Sequence, residues 1–570
     1  MASKSSKYFS IKIARFLMKT VGFWYPESSK EKCIFDVILF YTLMAVTTSL
    51  VIVSLDVYYS WGDFYAITYT ACSIMPVIIV LLKISIFMLH RTKMMNLIKY
   101  TQENFWYREY DDFGQKILNE IDNKGILLMC SFTFFVQGTA VTYTLTPIIE
   151  NLGKNDSDRI LPFKIWIDLP FSMSPYFEIF FTIETLALIH TAVCFACFDN
   201  FLCLLSMHAA GQFKILQHKL ETIFDWDVNV SLKTVITLNN ERLNDCIKRH
   251  NELINYIDKL ENIFTHTMLC QLLISSVMLC VAGFQMFLSQ GTLIRRMIFV
   301  AHTNGCFFQL FAITLTANEV LIASQAVSEG AYAANWPFLP SEIFTNISGS
   351  LIMIMIRAQK PCCITAGGFF PVSLETCMAV LSTATSYFTL LHVYNRFKEL
   401  VIQHQMLIKY SKDLNHVFTF ITLGQVLIFS ILICLVGYEI FIVIFILKKN
   451  FYKLLKAEAA PIRRAVFIFY IIGTMTQLMM FTYSCNILTE ESMNIAVAAY
   501  SSSWTSMPIN KIGKLLRKGL FIIIIRAQKP CVLSAGGFFS VSLETYTAVI
   551  STAMSYFTLL RQRSLEVIGV

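Results

Sequence analysis

Charge is scarce in this chain: only 15% of its residues are Asp, Glu, Lys or Arg, against 55% hydrophobic residues and a mean hydropathy of +0.58. Its apolar runs exceed the roughly 20 residues a helix needs to cross a bilayer, so the composition specifies an all-α polytopic membrane protein. Also missing are a Walker lysine loop, HExxH, GxSxG and any paired-cysteine metal site. An enzyme would therefore have to assemble its site from scattered polar residues, and the expectation is no enzymatic activity, no cofactor and no metal. The predicted external stretch 150–173 has no cysteine, so the sixteen cysteines of the chain, in spans or on the predicted cytosolic side, are expected to be free thiols. Cys194 and Cys197 form a CxxC, but in a continuous apolar segment without partner histidines, which favours packing over metal binding.

What is present is a series of spans. Hydropathy marks seven at about 33–57, 64–90, 125–149, 174–206, 263–290, 296–323 and 372–391, then three more at about 415–447, 465–488 and 540–560. The first 32 residues carry Lys4, Lys7, Lys12, Arg15, Lys19, Lys30 and Lys32 with no cleavable apolar region, which predicts a cytosolic N-terminus. The loop after the first span holds Asp56 and Asp63 and no basic residue, whereas the 207–262 loop is rich in Lys and Arg. Arg295 and Arg296 fall on the predicted outside, against this trend. The net charge of +8 is this loop bias and not a nucleic-acid-binding signal.

A repeat organises the second half. RAQKPCCITAGGFFPVSLETCMAVLSTATSYFTLL at 357–391 returns as RAQKPCVLSAGGFFSVSLETYTAVISTAMSYFTLL at 526–560. Upstream, Gln309, Asn318, Tyr332 and Trp336 recur as Gln477, Asn486, Tyr500 and Trp504 at an offset of 168. Further back the offset is 154, which pairs Arg242, His250, Tyr256 and Phe264 with Arg396, His404, Tyr410 and Phe418. Nothing before Arg242 has a counterpart. The expected organisation is a complete module at 1–395 and a partial three-helix copy at 396–570. The spans do not form two related halves with matching broken helices, the usual pointer to a secondary transporter. A cytosolic start also counts against a seven-span receptor coupled to G proteins.

At RAQKP, GGFF, SLET and SYFTLL the sequence resembles the insect odorant receptor family, in layout over residues 1 to about 395 and most specifically over 357–391. Gustatory receptors share the layout but end in a Thr-Tyr motif followed by Gln-Phe, which SYFTLL lacks. The resemblance implies an odorant-gated cation channel subunit in the plasma membrane of a sensory dendrite. It further implies an odorant receptor co-receptor as partner, a small volatile or hydrocarbon ligand, and a subunit interface near the 207–262 loop. A gustatory-type or metabotropic chemoreceptor, or a transporter, is the alternative.

The pore candidate is the last span of the module, where Ser373, Thr376, Val380, Thr383 and Tyr387 share a face at helical spacing after a break at Gly367-Gly368. Small hydroxyls suit a partly hydrated ion and Val380 an apolar constriction, while close helix packing explains the same pattern. Glu375 has two readings as well, a carboxylate in the ion path or a first-turn acid that complements the helix dipole beside a Ser373 N-cap. The ligand-pocket candidates lie in the outer halves of spans two, three, four and six: Tyr69, Met75, Gln137, Thr142, Tyr143, Tyr176, Phe177, Phe180, Phe181, His302 and Phe307. In a chain with 48 phenylalanines any one aromatic also fits a plain core role. Asn155-Asp-Ser is an external glycosylation acceptor; Asn229 and Asn346 match the pattern on the predicted cytosolic side.

The tail conflicts with this topology. Seven crossings from a cytosolic start place residue 392 outside, yet 396–415 matches a stretch that is cytosolic in the first module. A basic insertion, KKNFYKLLKAEAA, also interrupts the copy after Leu447. A conceptual translation that joins two neighbouring receptor genes accounts for both.

Overall fold

Thirteen α-helices among the described residues, with 85% of the molecule helical, confirm the all-α polytopic reading. The computed structural model describes residues 8–166, 170–224, 232–288, 293–336, 341–449, 459–506 and 511–567. The helices are α1 Phe9–Val21, α2 Ser29–Tyr59, α3 Phe64–Leu89, α4 Arg91–Thr101, α5 Asp112–Glu150, α6 Tyr176–Glu221, α7 Leu232–Leu288 and α8 Leu293–Ala333. They continue as α9 Ser341–Ala358, α10 Leu374–Lys449, α11 Ala459–Ser501, α12 Lys511–Ala527 and α13 Leu543–Val567. Among the described residues eight helices are long and apolar enough to cross a membrane. The ten sequence-predicted spans differ from these in two ways. The spans at 372–391 and 415–447 share the one helix α10, because the polar stretch between them contains neither glycine nor proline to interrupt it. The span at 540–560 falls on α13, which is not among the eight. Much of the 207–262 loop is likewise helical, as extensions of α6 and α7, while Asn229 and most of the KKNFYKLLKAEAA insertion lie outside the described residues.

The chain divides into two compact units, Met1–Leu391 and His392–Val570. In the first, helix starts follow local chemistry. Ser28 Oγ accepts the Glu31 N–H, Asp63 Oδ1 accepts the N–H groups of Tyr65 and Ala66, and Asp111 Oδ1 accepts that of Gly114. α1 stops at Gly22, whose φ of 86° is left-handed. The centre of the unit is α6, in which every residue from Cys194 to Phe213 is buried. A helix apolar on all sides has to be enclosed by others, and α1, α5, α7 and α8 pack around it. All sixteen cysteines are unpaired.

Two charges sit inside this core. Lys83 of α3 and Asp199 of α6 are fully or almost fully buried, and Lys83 Nζ donates to the Asp199 carboxylate oxygens at 2.6 and 2.7 Å. Gln309 Nε2 of α8 also donates to Asp199 Oδ2, and Lys83 Nζ lies 5.2 Å from the Phe195 ring centre. Three helices thus meet at one carboxylate.

The break at Gly367-Gly368 is a tight hairpin. Strands β1 (Thr365–Ala366) and β2 (Phe370–Pro371) pair antiparallel, with Gly367 and Gly368 at φ 62° and 77°. The resemblance to an all-helical family did not predict strands, and two-residue strands carry no alternation to read. The hairpin is pinned to α7 and α8: Gly367 N–H donates to Thr265 O at 3.0 Å, and Cys362 N–H to Ser324 Oγ at 3.0 Å.

The second unit repeats this device. Its hairpin pairs β3 (Ser534–Ala535) with β4 (Phe539–Ser540), and Gly536 and Gly537 have the same φ values of 62° and 77°. Gly536 N–H donates to Thr419 O at 2.9 Å and Cys531 N–H to Ser492 Oγ at 2.9 Å, the acceptors Thr419 and Ser492 standing at the offsets of 154 and 168 read from the sequence. The two units differ at Gln477, the counterpart of Gln309. Gln309 is buried in the first unit, and Gln477 is exposed.

Two outcomes follow for purified protein in detergent. Asp199→Ala strands the Lys83 ammonium in the core and costs about 3–5 kcal/mol of stability, whereas the double variant Lys83→Met/Asp199→Leu costs less than Asp199→Ala alone; thermal unfolding of the three forms checks this. Gly367→Val forces a β-branched residue to positive φ, where a Cβ also meets Leu269 Cδ2 at 2.7 Å, and lowers the melting temperature by the equivalent of roughly 1–3 kcal/mol.

Candidate functional site

Just beyond the Lys83–Asp199–Gln309 junction, the same three helices separate around a cavity of about 470 Å³. Cys72, Ser73, Pro76 and Val77 of α3 line it, with Glu184, Ala187, Thr191 and Phe195 of α6, and His302, Gly305 and Cys306 of α8. α5 contributes Val136, Thr139, Ala140 and Tyr143, α7 contributes Met278, and α2 closes one side with Ala45, Thr48, Ser49 and Ile52. The wall is apolar with a few hydroxyls and two strongly polar groups. On the α2 and α6 side, Tyr41, Met44, Ile183 and Leu186 line the cavity and are also exposed, so the cavity reaches the lipid-facing surface of the bundle there.

The polar groups are held as follows. Ser73 Oγ donates to the Tyr143 hydroxyl at 3.4 Å, and the Tyr143 ring stacks on Phe163 at 6.0 Å between centres. Glu184 is 5% exposed; its Oε2 accepts the Phe163 N–H at 3.1 Å, and its Oε1 has no hydrogen-bond partner. His302 is buried too, and its Nε2 has no partner. Ser73 and Phe163 also border a second, more polar cavity of about 810 Å³ that contains Asp56, Asp63, Arg159, Lys164, Trp166 and Arg295. The loop between α5 and α6 lines the second cavity from Ser157 to Trp166 and reaches the first through Phe163. Asn151 clamps it by exchanging hydrogen bonds with Ile160, and Asp56 Oδ1 accepts the Trp166 indole N–H at 3.0 Å. Arg295, which stood against the charge bias, makes a two-pronged ion pair with Glu150 at 2.8 Å per contact, so its charge is locally answered.

Of the pocket residues expected from sequence, the structure brings Tyr143 and His302 into the first cavity. Tyr69 lines the second and packs edge-to-face on Phe299. Gln137 faces a groove against α1 with Phe9, Lys12 and Phe16, because it lies about 120° around α5 from Tyr143. Met75 is half-buried against the core, and Thr142 Oγ1 donates to the Thr139 carbonyl. Tyr176 and Phe307 are substantially exposed, Phe177 stacks on Phe181, and Phe180 meets Phe171 edge-to-face; none of these lines the first cavity. Sequence reasoning missed α2 and Glu184. α2 borders lipid on one side and the cavity on the other, so it is apolar all round and shows no inward stripe. Glu184, like Lys83 and Asp199, did carry a signal: a charged residue inside an apolar span.

In the pore candidate, Ser373 lies just before α10 and its Oγ meets the Thr376 N–H at 3.5 Å, an N-cap geometry. Thr376 and Val380 are half-buried, while Thr383 and Tyr387 are exposed, next to the buried stripe of Cys377 and Ala384. Thr383, Thr385 and Ser386 each donate to the carbonyl four residues earlier, which leaves their oxygen lone pairs outward. Glu375 is exposed in the first turn. Asn155 is exposed at the start of a short 3-10 turn. Among the described residues no cluster of metal-ligating side chains occurs.

Comparison with known proteins agrees with this architecture. The chain is 28% identical over 242 residues to odorant receptor 30a of Drosophila melanogaster, covering 41% of this chain and 60% of that protein. It is 26% identical over 349 residues to odorant receptor Or2 of Anopheles gambiae, covering 60% of this chain and 88% of that receptor. The solved structure of the insect olfactory receptor OR5 from Machilis hrabei in complex with eugenol superposes with a TM-score of 0.59 at 15% identity, over 67% of this chain and 97% of OR5, which shows a shared fold. The family model described as 7tm Odorant receptor matches twice, at residues 64–385 and again at 389–554. With most of its length accounted for in this way, the chain belongs to the insect odorant receptor family and carries a fused, partial second copy of the receptor.

Proposed function

We propose that residues 1–395 form an odorant-gated cation channel subunit that assembles with an odorant receptor co-receptor in the plasma membrane and detects small volatile or hydrocarbon ligands. The observation that carries this reading is the cavity of about 470 Å³, apolar with a few polar groups and enclosed by six helices of a chain in this family. That OR5 of Machilis hrabei was solved with eugenol supports a small-molecule ligand. The cavity opens toward the lipid-facing surface between α2 and α6, a route open to ligands that partition into hydrocarbon. α7 offers a connection to α10: Met278 lines the cavity, and Phe287 on the same helix packs on Phe388 of α10 at 5.8 Å. In this reading the Ser373, Thr376, Val380, Thr383 and Tyr387 face of α10 borders the ion path, with Val380 as the apolar constriction. Asn155 carries the external glycan.

The 396–570 copy is best accounted for by the joining of two neighbouring receptor genes, since it has no counterparts of α2, α3, α5 and α6 to enclose a cavity. A single native transcript crossing residues 391–405, read by long-read sequencing, contradicts this.

Electrophysiology tests the main proposal. Residues 1–395 and the full chain are each expressed with the insect co-receptor, and odorant-evoked cation currents are recorded. The short form is expected to respond, and no response without the co-receptor is expected from either. A response without the co-receptor favours a metabotropic receptor or a transporter. Ala140→Phe, which fills the cavity, is expected to reduce the odorant-evoked current by about tenfold or more at unchanged surface expression, whereas Gln137→Leu in the groove against α1 leaves it unchanged.

A further inference from the structure

We infer that the ligand of this cavity carries a hydrogen-bond-donating head group, a hydroxyl or an amine, which binds the open carboxyl oxygen of Glu184. The inference rests on the ligand-site reading above and adds the chemical class. Three observations carry it. Glu184 is buried and lines the cavity, so water does not solvate it freely. One of its oxygens is committed to the Phe163 backbone N–H, and this contact orients the other, which has no partner. The remainder of the wall is mostly apolar: the hydroxyls nearby answer one another or their own helix, as Ser73 does with Tyr143 and Thr191 with Ala187 O. A buried acceptor without a donor is unfavourable, so a ligand that supplies the donor gains an interaction that a purely acceptor ligand forfeits. His302 adds a buried nitrogen without a partner to the same cavity, a second polar group in the otherwise mostly apolar wall. The ligand body is then hydrocarbon, matched to the apolar wall.

Binding is measured directly, so that the result does not depend on channel activity. The purified full chain is titrated with isomer pairs of identical composition, 1-hexanol against pentyl methyl ether and 1-octanol against heptyl methyl ether, with octylamine as the amine probe, and ligand-induced thermal stabilisation is recorded. The alcohols and the amine are expected to stabilise the protein at about ten- to hundredfold lower concentration than the ethers. Glu184→Gln keeps the shape of the side chain. Only its carbonyl oxygen can accept the Phe163 N–H, which turns its two N–H donors toward the cavity. This variant is expected to lose the alcohol advantage and to gain affinity for the ethers. Equal stabilisation by alcohol and ether isomers in the native protein overturns the inference while leaving the cavity as a ligand site. So does an alcohol preference that Glu184→Gln preserves. Absence of any stabilisation by the whole panel overturns the ligand-site reading itself, and the inference with it.

Discussion

A carboxylate enclosed on every side must be answered by a donor, and in this molecule that requirement fixes the arrangement of three spans. Asp199 sits on α6, whose middle is buried all round, and Lys83 of α3 and Gln309 of α8 both reach it. Breaking such a pair leaves one charge in a low-dielectric interior, so the relative positions of α3, α6 and α8 are set by more than apolar packing, which is tolerant of small shifts. The cavity begins one to two turns along the same helices. Ser73 and Val77 precede Lys83, Phe195 precedes Asp199, and Cys306 precedes Gln309. The junction therefore closes the inner end of the cavity and holds Ser73, Glu184 and His302 in one enclosure.

The repeat supplies an internal comparison. Both hairpins are anchored by the same backbone contacts, to Thr265 and Ser324 in one unit and to Thr419 and Ser492 in the other, so this local device depends only on the helices that each copy possesses. The carboxylate junction behaves differently. Gln477 has no counterparts of Asp199 and Lys83 available within its own copy and is exposed, whereas Gln309 is buried. The helices that precede α7, above all α2, α3, α5 and α6, are what turn a set of spans into an enclosure with a cavity.

The sequence made the membrane class, the approximate position of the first six spans and the family legible, because length and apolarity are properties of single segments. It also showed, from spacing alone, that a partial second copy follows the first. The continuity of α10 was not legible, since hydropathy marks a polar stretch between spans as a boundary while the absence of glycine and proline lets the helix run on. Nor was the composition of the cavity. Tyr143 and His302 were found among aromatics and polar residues of the outer halves, but Gln137 and Phe307 share that description and face elsewhere. Which face of an apolar helix looks inward depends on its neighbours, and a uniformly apolar helix such as α2 gives no periodic sign of it. Glu184, Lys83 and Asp199 stood out chemically, and the abundance of aromatics drew the reading away from them.

The central claim is that the enclosure above the Asp199 junction is where ligand binds. The most direct measurement is a cryo-electron microscopy map of the full chain with its co-receptor, bound to an odorant that evokes current. The account predicts ligand density between α3, α5, α6 and α8, against Tyr143 and His302. Density confined to the outer cavity around Arg159 and Trp166, with the inner cavity empty, contradicts it.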